Sequence, residues 1–347
     1  MNAVDEHGGW PALLGAICDG RDLGRDEAAA AMVDILSDSA SPAQIAGLIV
    51  GLRIKGESVE EMTGLALAML EAAEQLELPD RTVDIVGTGG SRHRRIHALN
   101  VSTMASIVAA SAGATVCKHG NRRVSSTSGA FDFLETIGVG IELSAGEVER
   151  CVERIGIGFA FARSFHPAMR FAGPVRAELG IPTVFNILGP LAHPGRVTRQ
   201  VVGTASEDLA ARMAPVLKNL GSELSWVVTG DGGLDELSVT GPSVVFEVTA
   251  DGIDRYEVTP EAVGLGVVAD AVALSGGTPE QNAQIFADII DGSETGARRD
   301  IVVLNAAAGL VVGGVAADLS EGVEAARAAI DDGRTTKKLD DLVAATT

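Results

Sequence analysis

The chain has 347 residues, of which 46% are hydrophobic and 3% aromatic, and a formal net charge of −20. Such an acidic surface disfavours non-specific contact with nucleic acid and with anionic membranes, and the length allows two domains or one large one. Cys18, Cys117 and Cys151 show no metal-ligand spacing and fit a reducing cytoplasm, and no secretory pattern opens the chain.

Residues 10–18 and 25–36 read as helices. Ser41-Pro42 is an N-cap followed by proline at the first helical position, so a third helix covers 44–55 and closes at Gly56. Ser58-Val59-Glu60-Glu61 is a capping box and opens a fourth helix to about residue 76. Four helices without a strand predict a small all-helical N-terminal domain, residues 1–78, with the chain crossing out at Leu78-Pro79-Asp80. From Val83 onward strands alternate with helices. The expectation for 79–347 is a larger α/β domain with a mostly parallel central sheet flanked by helices.

Within it, 83–86 and 114–117 read as strands, and 104–112 as a helix. Ser144 opens a capping box, 157–162 reads as a buried strand, and 166–179 has helical spacing that continues through 182–191. A helix is expected over 209–220, a strand over 224–229 and an acidic turn over 230–236. Residues 244–247 and 255–258 look like antiparallel additions. Thr278-Pro279-Glu280-Gln281 caps a late helix. The most apolar run, 301–317, is short for a membrane span and reads as a core helix with a glycine-rich end. A C-terminal helix covers roughly residues 320–332.

The chemistry concentrates in residues 84–135. The first strand stops in Gly87-Thr88-Gly89-Gly90, where glycines let the backbone approach an anion. Asn100-Val101-Ser102-Thr103 then leads into a helix, whose N-terminus carries partial positive charge and free N–H groups. After the second strand comes Lys118-His119-Gly120-Asn121-Arg122, followed by Ser125-Ser126, which reads as a second polar, cationic loop. The glycine turn by itself fits an ordinary strand–helix connection better than a ligand site. The two loops in this order point to a phosphorylated ligand.

The segments GTGG, NVST, KHGNR and SGAFDFLE, followed by HPAMR, PVRAELGIPTVFNILGPL and DGGLDE, resemble the anthranilate phosphoribosyltransferase family over nearly the whole chain. That resemblance implies transfer of a phosphoribosyl group from phosphoribosyl pyrophosphate to the amine of anthranilate, through an oxocarbenium-like transition state. It assigns the donor to Gly87, Thr88, Gly89, Gly90, Ser91, Asn100, Val101, Ser102, Thr103, Lys118, Asn121, Arg122, Ser125 and Ser126. It assigns anthranilate to Gly87, His119, Asn121 and Arg176, and Mg2+ to Ser102, Asp235 and Glu236. No residue is implied as a covalent catalyst; Lys118 and His119 would stabilise the transition state. The resemblance also implies that helices from about 165–192 join the N-terminal domain, and that the protein is a homodimer through that domain.

The chain departs from the family pattern in one loop. Ser91 stands where aspartate is usual, the loop through His97 is longer, and Ala98 replaces a common threonine. Arg163 stands where proline is common, and Ala130 where serine is. Arg92, Arg94 and Arg95 either contact pyrophosphate or form a solvated basic edge. Arg163 and the altered loop leave room for a different aromatic acceptor. A non-catalytic nucleotide- or nucleic-acid-binding homologue is the remaining alternative, against which the retained polar residues speak.

Overall fold

The structure, a computed structural model, describes residues 2–89, 99–122 and 127–347. Helices α1 (Gly9–Cys18), α2 (Arg25–Leu36), α3 (Pro42–Lys55) and α4 (Val59–Glu71) open the chain. The hydroxyls of Ser41 and Ser58 accept the N–H groups of Gln44 and Glu61, whose side chains reach back to the N–H groups of Ser41 and Ser58. These boxes satisfy donors that a helix start otherwise leaves unpaired. α4 stops at Glu71 rather than near residue 76. The N–H groups of Glu74 and Leu76 go instead to the carbonyls of Phe165 and Pro194.

The rest alternates: β1 (Val83–Gly87), α5 (Val101–Ser111), β2 (Val116–Gly120), α6 (Ala130–Thr136), α7 (Ala145–Ile155), β3 (Ile157–Phe161), α8 (Ala162–Phe165), α9 (Gly173–Leu179), α10 (Val184–Leu191), β4 (Arg199–Gly203), α11 (Glu207–Asn219) and β5 (Leu224–Thr229). Then come β6 (Ser243–Thr249), β7 (Ile253–Val258), α12 (Pro279–Ile290), α13 (Ala297–Val312), α14 (Leu319–Asp331) and α15 (Arg334–Thr346). The sheet has seven strands in the order β3-β2-β1-β4-β5-β6-β7. The first five run parallel; β6 and β7 are antiparallel additions at one edge. The helical start, the larger α/β body and the mostly parallel sheet are therefore as expected.

Two large apolar cores lie on the two faces of this sheet. One joins Val83, Ile85, Val116, Phe159 and Val201 to the buried faces of α5 and α13. The other joins Val86, Val202, Val227 and Val248 to α11, to α1–α4 and to Val175, Val184, Phe185 and Leu188 of α9 and α10. A parallel strand covered on both faces must be apolar on both, which is why these strands read as continuous β-branched runs.

Further stretches differ from expectation, β4 among them, since no strand was expected over 199–203. β2 runs on to Gly120, because Lys118, His119 and Gly120 pair in register with Phe159, Ala160 and Phe161 of β3. Lys118 and His119 therefore lie in a strand and not in a loop. Residues 166–179 are not one helix: a short 3-10 turn, Pro167–Phe171, precedes α9, which Pro174 opens. The chain ends in one more helix than expected, because Gly333, at φ 80°, breaks α14 from α15. α13 is the expected core helix, and no helix among the described residues is long and apolar enough to cross a membrane.

Candidate active site

The strand order reverses between β1 and β4. In an open α/β sheet the crevice at the carboxyl ends of the strands on either side of such a point is where ligands bind. Here those ends are Gly87 and Gly203, which pair directly. Asp235, from the turn after β5, is packed over both. A Cβ on Gly87 would meet Asp235 Oδ2 at 2.8 Å, and a Cβ on Gly203 would meet the Asp235 carbonyl at 1.7 Å. Gly87 thus leaves room for the Asp235 carboxylate and Gly203 for the Asp235 main chain. Asp235 Oδ2 also accepts the N–H of Gly89, at 3.0 Å. Thr88 is anchored by its N–H to the Gly203 carbonyl, at 2.8 Å.

Asn100, Val101, Ser102 and Thr103 form the start of α5, beside this crevice. Asn100 occupies the N-cap position, but its side chain makes no capping hydrogen bond. It is held by Ser128 and Asn282 instead, and Ser102 is half-buried at the first turn. Gly90 and Ser91, together with Arg92, Arg94, Arg95 and Ala98, lie outside the described residues, as do Ser125 and Ser126.

Alternation along β2 sends Lys118 and His119 to opposite faces of the sheet. The Lys118 ammonium is fully buried and donates to the carbonyl of Ile85. Burial pushes its pKa down, while Asp84, Glu236 and Asp235 act to raise it. A desolvated ammonium close to two carboxylates of the crevice is placed to meet an anion. Below it Asp84 is fully buried and accepts the N–H of His119, at 3.2 Å. Burial pushes its carboxyl up to about 7, against the pull of Lys118.

The Asp84 shift has a consequence for stability. Its folded value lies above the unfolded one, so its contribution is complete below about pH 4 and is lost as pH rises through about 7. The loss amounts to roughly 4 kcal/mol at about 1.4 kcal/mol per pH unit. Asp84→Asn carries no charge to desolvate. Its stability relative to the unmodified protein should therefore improve between pH 5 and pH 8 in denaturant titrations. An offset that is constant across that range would contradict this.

On the other face, His119 Nδ1 lies 3.2 Å from the carbonyl of Gly189 on α10. A carbonyl only accepts, so Nδ1 carries the proton and Nε2 keeps its lone pair. Nε2 is buried with no hydrogen-bond partner among the described residues. The rings of His166 and His193 lie 5.2 and 5.8 Å away. Burial, reinforced by these two imidazoles, holds His119 well below its usual range, so it stays neutral near pH 7.

Arg176, on α9, is half-buried with its guanidinium 5.1 Å from the ring centre of Phe185 on α10. Burial lowers its pKa, and it forms no ion pair among the described residues; the alternative partner Glu178 is exposed. α10 thus connects Arg176 to His119. Asn121 follows β2, exposed, with Oδ1 accepting the N–H of Arg122. The Arg122 guanidinium turns to α6, where it pairs with Asp132 and Glu135, and is not brought to the glycine turn. Arg163 is exposed on α8, and Ala130 opens α6.

Asp235 and Glu236 are adjacent carboxylates in the turn after β5, and Ser102 offers a hydroxyl from α5. This donor set is oxygen only, which fits Mg2+, an ion that takes few protein ligands and completes its shell with phosphate and water. Among the described residues no three His, Cys, Asp or Glu side chains form a closed cage. Gly203, Asp84, Ser128, Asn282, His166 and His193 are parts of the site that the sequence reading did not single out. Gly203 alone carried a signal, as a glycine ending a β-branched run.

Residues 79–336 match the glycosyl transferase family a/b domain, and residues 11–73 match that family's helical bundle domain. An anthranilate phosphoribosyltransferase of Chloroflexus aggregans is 49% identical, over 95% of this chain and 96% of its own. One of Rhodopseudomonas palustris is 45% identical, over 96% of this chain and 97% of its own. The crystal structure of the Thermus thermophilus enzyme superposes with a TM-score of 0.89 at 41% identity, covering 100% of this chain and 99% of that one. The Saccharomyces cerevisiae enzyme in complex with phosphoribosyl pyrophosphate and Mg gives 0.83 at 27% identity, over 93% and 92% of the two chains. Taken with the crevice at the strand reversal, these likenesses show that the chain belongs to the anthranilate phosphoribosyltransferase family.

Proposed function

We infer that this chain transfers the 5-phosphoribosyl group of phosphoribosyl pyrophosphate to the amine of anthranilate, in tryptophan biosynthesis. The bond from the anomeric carbon to the pyrophosphate oxygen breaks, the bond to nitrogen forms, and the nitrogen gives up a proton. The observation that carries this reading is the convergence of the glycine turn, the start of α5, buried Lys118 and Asp235 on one crevice. Yeast relatives solved with phosphoribosyl pyrophosphate and Mg, and with 4-fluoroanthranilate, support both substrates.

In this reading Gly87, Thr88 and Gly89 bring main-chain N–H groups to the pyrophosphate, with Gly90 and Ser91 continuing the turn. Asn100, Val101, Ser102 and Thr103 receive phosphate at the helix start. Lys118 faces the charge that grows on the leaving group. Asn121, Ser125 and Ser126 complete the donor side, while the Arg122 guanidinium is held by Asp132 and Glu135. Arg176 takes the acceptor carboxylate, and the neutral His119 offers its Nε2 lone pair to an N–H of the amine. Asp235, Glu236 and Ser102 would hold Mg2+, which when bound supplies positive charge against the pyrophosphate. Such preorganised charge is worth most in a site shielded from water.

A different aromatic acceptor is the alternative that Arg163 and the altered loop leave open. Offering anthranilate and its para isomer with the same donor tests this. Only the ortho compound places a carboxylate beside the reacting amine, so it alone should be consumed; equal consumption of both would refute the assignment of Arg176. The division into a helical body, residues 1–78 with about 165–192, and an α/β body over the rest of 79–347 is part of the proposal. So is a homodimer through the helical body, which exposes Val33, Ile54 and Ile181. A cytoplasmic location fits free Cys18, Cys117 and Cys151.

A further inference from the structure

Asn282 lies on α12, far in sequence from any of the segments assigned above, and is fully buried. Its Oδ1 accepts the main-chain N–H of Gly277 at 2.8 Å. A main-chain N–H can only donate, so this contact fixes which end of the carboxamide is oxygen. Nδ2 is therefore the end that meets Asn100, and it donates to Asn100 Oδ1 at 2.7 Å. Ser128 Oγ donates to the same oxygen at 2.8 Å. Both donors hold the oxygen of Asn100 on the protein side. Among the described residues the Asn100 Nδ2 makes one long contact, 3.5 Å to the carbonyl of Ser128. Because Asn100 does not cap α5 with its side chain, the N–H groups of Val101 and Ser102 remain for an anion at the helix start, while that of Thr103 donates to the Asn100 carbonyl.

We propose that Asn282 is a positioning residue for the phosphoribosyl donor: through the relay Gly277–Asn282–Asn100 it fixes the Asn100 carboxamide with N–H, not oxygen, presented to phosphate. This rests on the reading that Asn100 contacts the donor. A free carboxamide flips at little cost, and the flipped form would aim an oxygen at a polyanion. The relay removes that form before substrate arrives, so part of the ordering is complete in the free protein.

Asn282→Asp tests the relay with an isosteric change. As a carboxylate it can still accept from Gly277 but has nothing to donate, and it repels Asn100 Oδ1. Asn100 should then flip. The KM for phosphoribosyl pyrophosphate should rise at least tenfold, with the KM for anthranilate within twofold of its original value. Lowering the pH protonates the new acid, whose O–H restores the donor, so the rise should shrink toward acid. In an Asn100→Ala background the same substitution should change the donor KM less than twofold, because contacting residues couple in double-mutant cycles. An equal rise in both backgrounds, or a donor KM unchanged by Asn282→Asp alone, would overturn the relay. If Asn100→Ala by itself leaves the donor KM unchanged, the reading of Asn100 fails instead, which is a separate result. Should Asn282→Asp not fold, Ser128→Ala removes the other donor to the same oxygen. It should raise the donor KM severalfold in the Asn100 protein and not in the alanine background; a rise of equal size in both would again contradict the relay.

Discussion

Alanine at both Asp235 and Glu236 should bring turnover to background while the protein stays folded. The turn is held by main-chain hydrogen bonds between Gly230 and Leu234, which the substitution leaves in place. Alanine is smaller than either side chain, so nothing new is forced against Gly87 or Gly203. What is lost is the negative charge facing Lys118 and the anchor for the Gly89 N–H. Removing one preorganised charge-stabilising group costs roughly 100- to 1,000-fold in rate. Here two carboxylates and the geometry of the glycine turn go together. Calorimetric titration with phosphoribosyl pyrophosphate provides a second readout: added Mg2+ should tighten binding to the unmodified protein and leave the double variant unaffected. Near-normal turnover at saturating Mg2+ would take both residues out of the mechanism.

Arg176→Ala should weaken the acceptor and spare the donor. The guanidinium is desolvated against Phe185 and has no carboxylate partner among the described residues, so an incoming carboxylate recovers a full charge-assisted contact. A hydrogen bond to a charged group contributes roughly 1.5–3 kcal/mol. That corresponds to roughly a 10- to 150-fold rise in the anthranilate KM. Lysine should rescue only part of it, since it is a point charge without the planar fork. An anthranilate KM unchanged by alanine would show that Arg176 only packs.

Local signals in the sequence were sufficient for much of this fold. The serine caps of α3 and α4 and the β-branched runs ending in glycine are decided by neighbours a few residues away. The end of α4 was not legible, because it is set by carbonyls of Phe165 and Pro194, contributed by distant segments. Lys118 and His119 looked like loop residues since they are polar; only pairing with β3 shows them as strand. α15 was hidden by the break at Gly333 and by its largely polar composition. In the site, residues carried by motifs were visible and their supports were not. Asn282 reads as one polar position after a helix cap, and nothing local connects it to Asn100. His193 likewise acquires meaning only from its contact with the carbonyl of Cys117, just before Lys118.

The central claim is the reaction itself, and loss of anthranilate fluorescence measures it directly. Purified protein with Mg2+ and phosphoribosyl pyrophosphate should consume anthranilate in step with the release of pyrophosphate, one for one. The signal should vanish when phosphoribosyl pyrophosphate is left out. Persistent anthranilate fluorescence with a folded protein and both substrates at saturation would contradict the account.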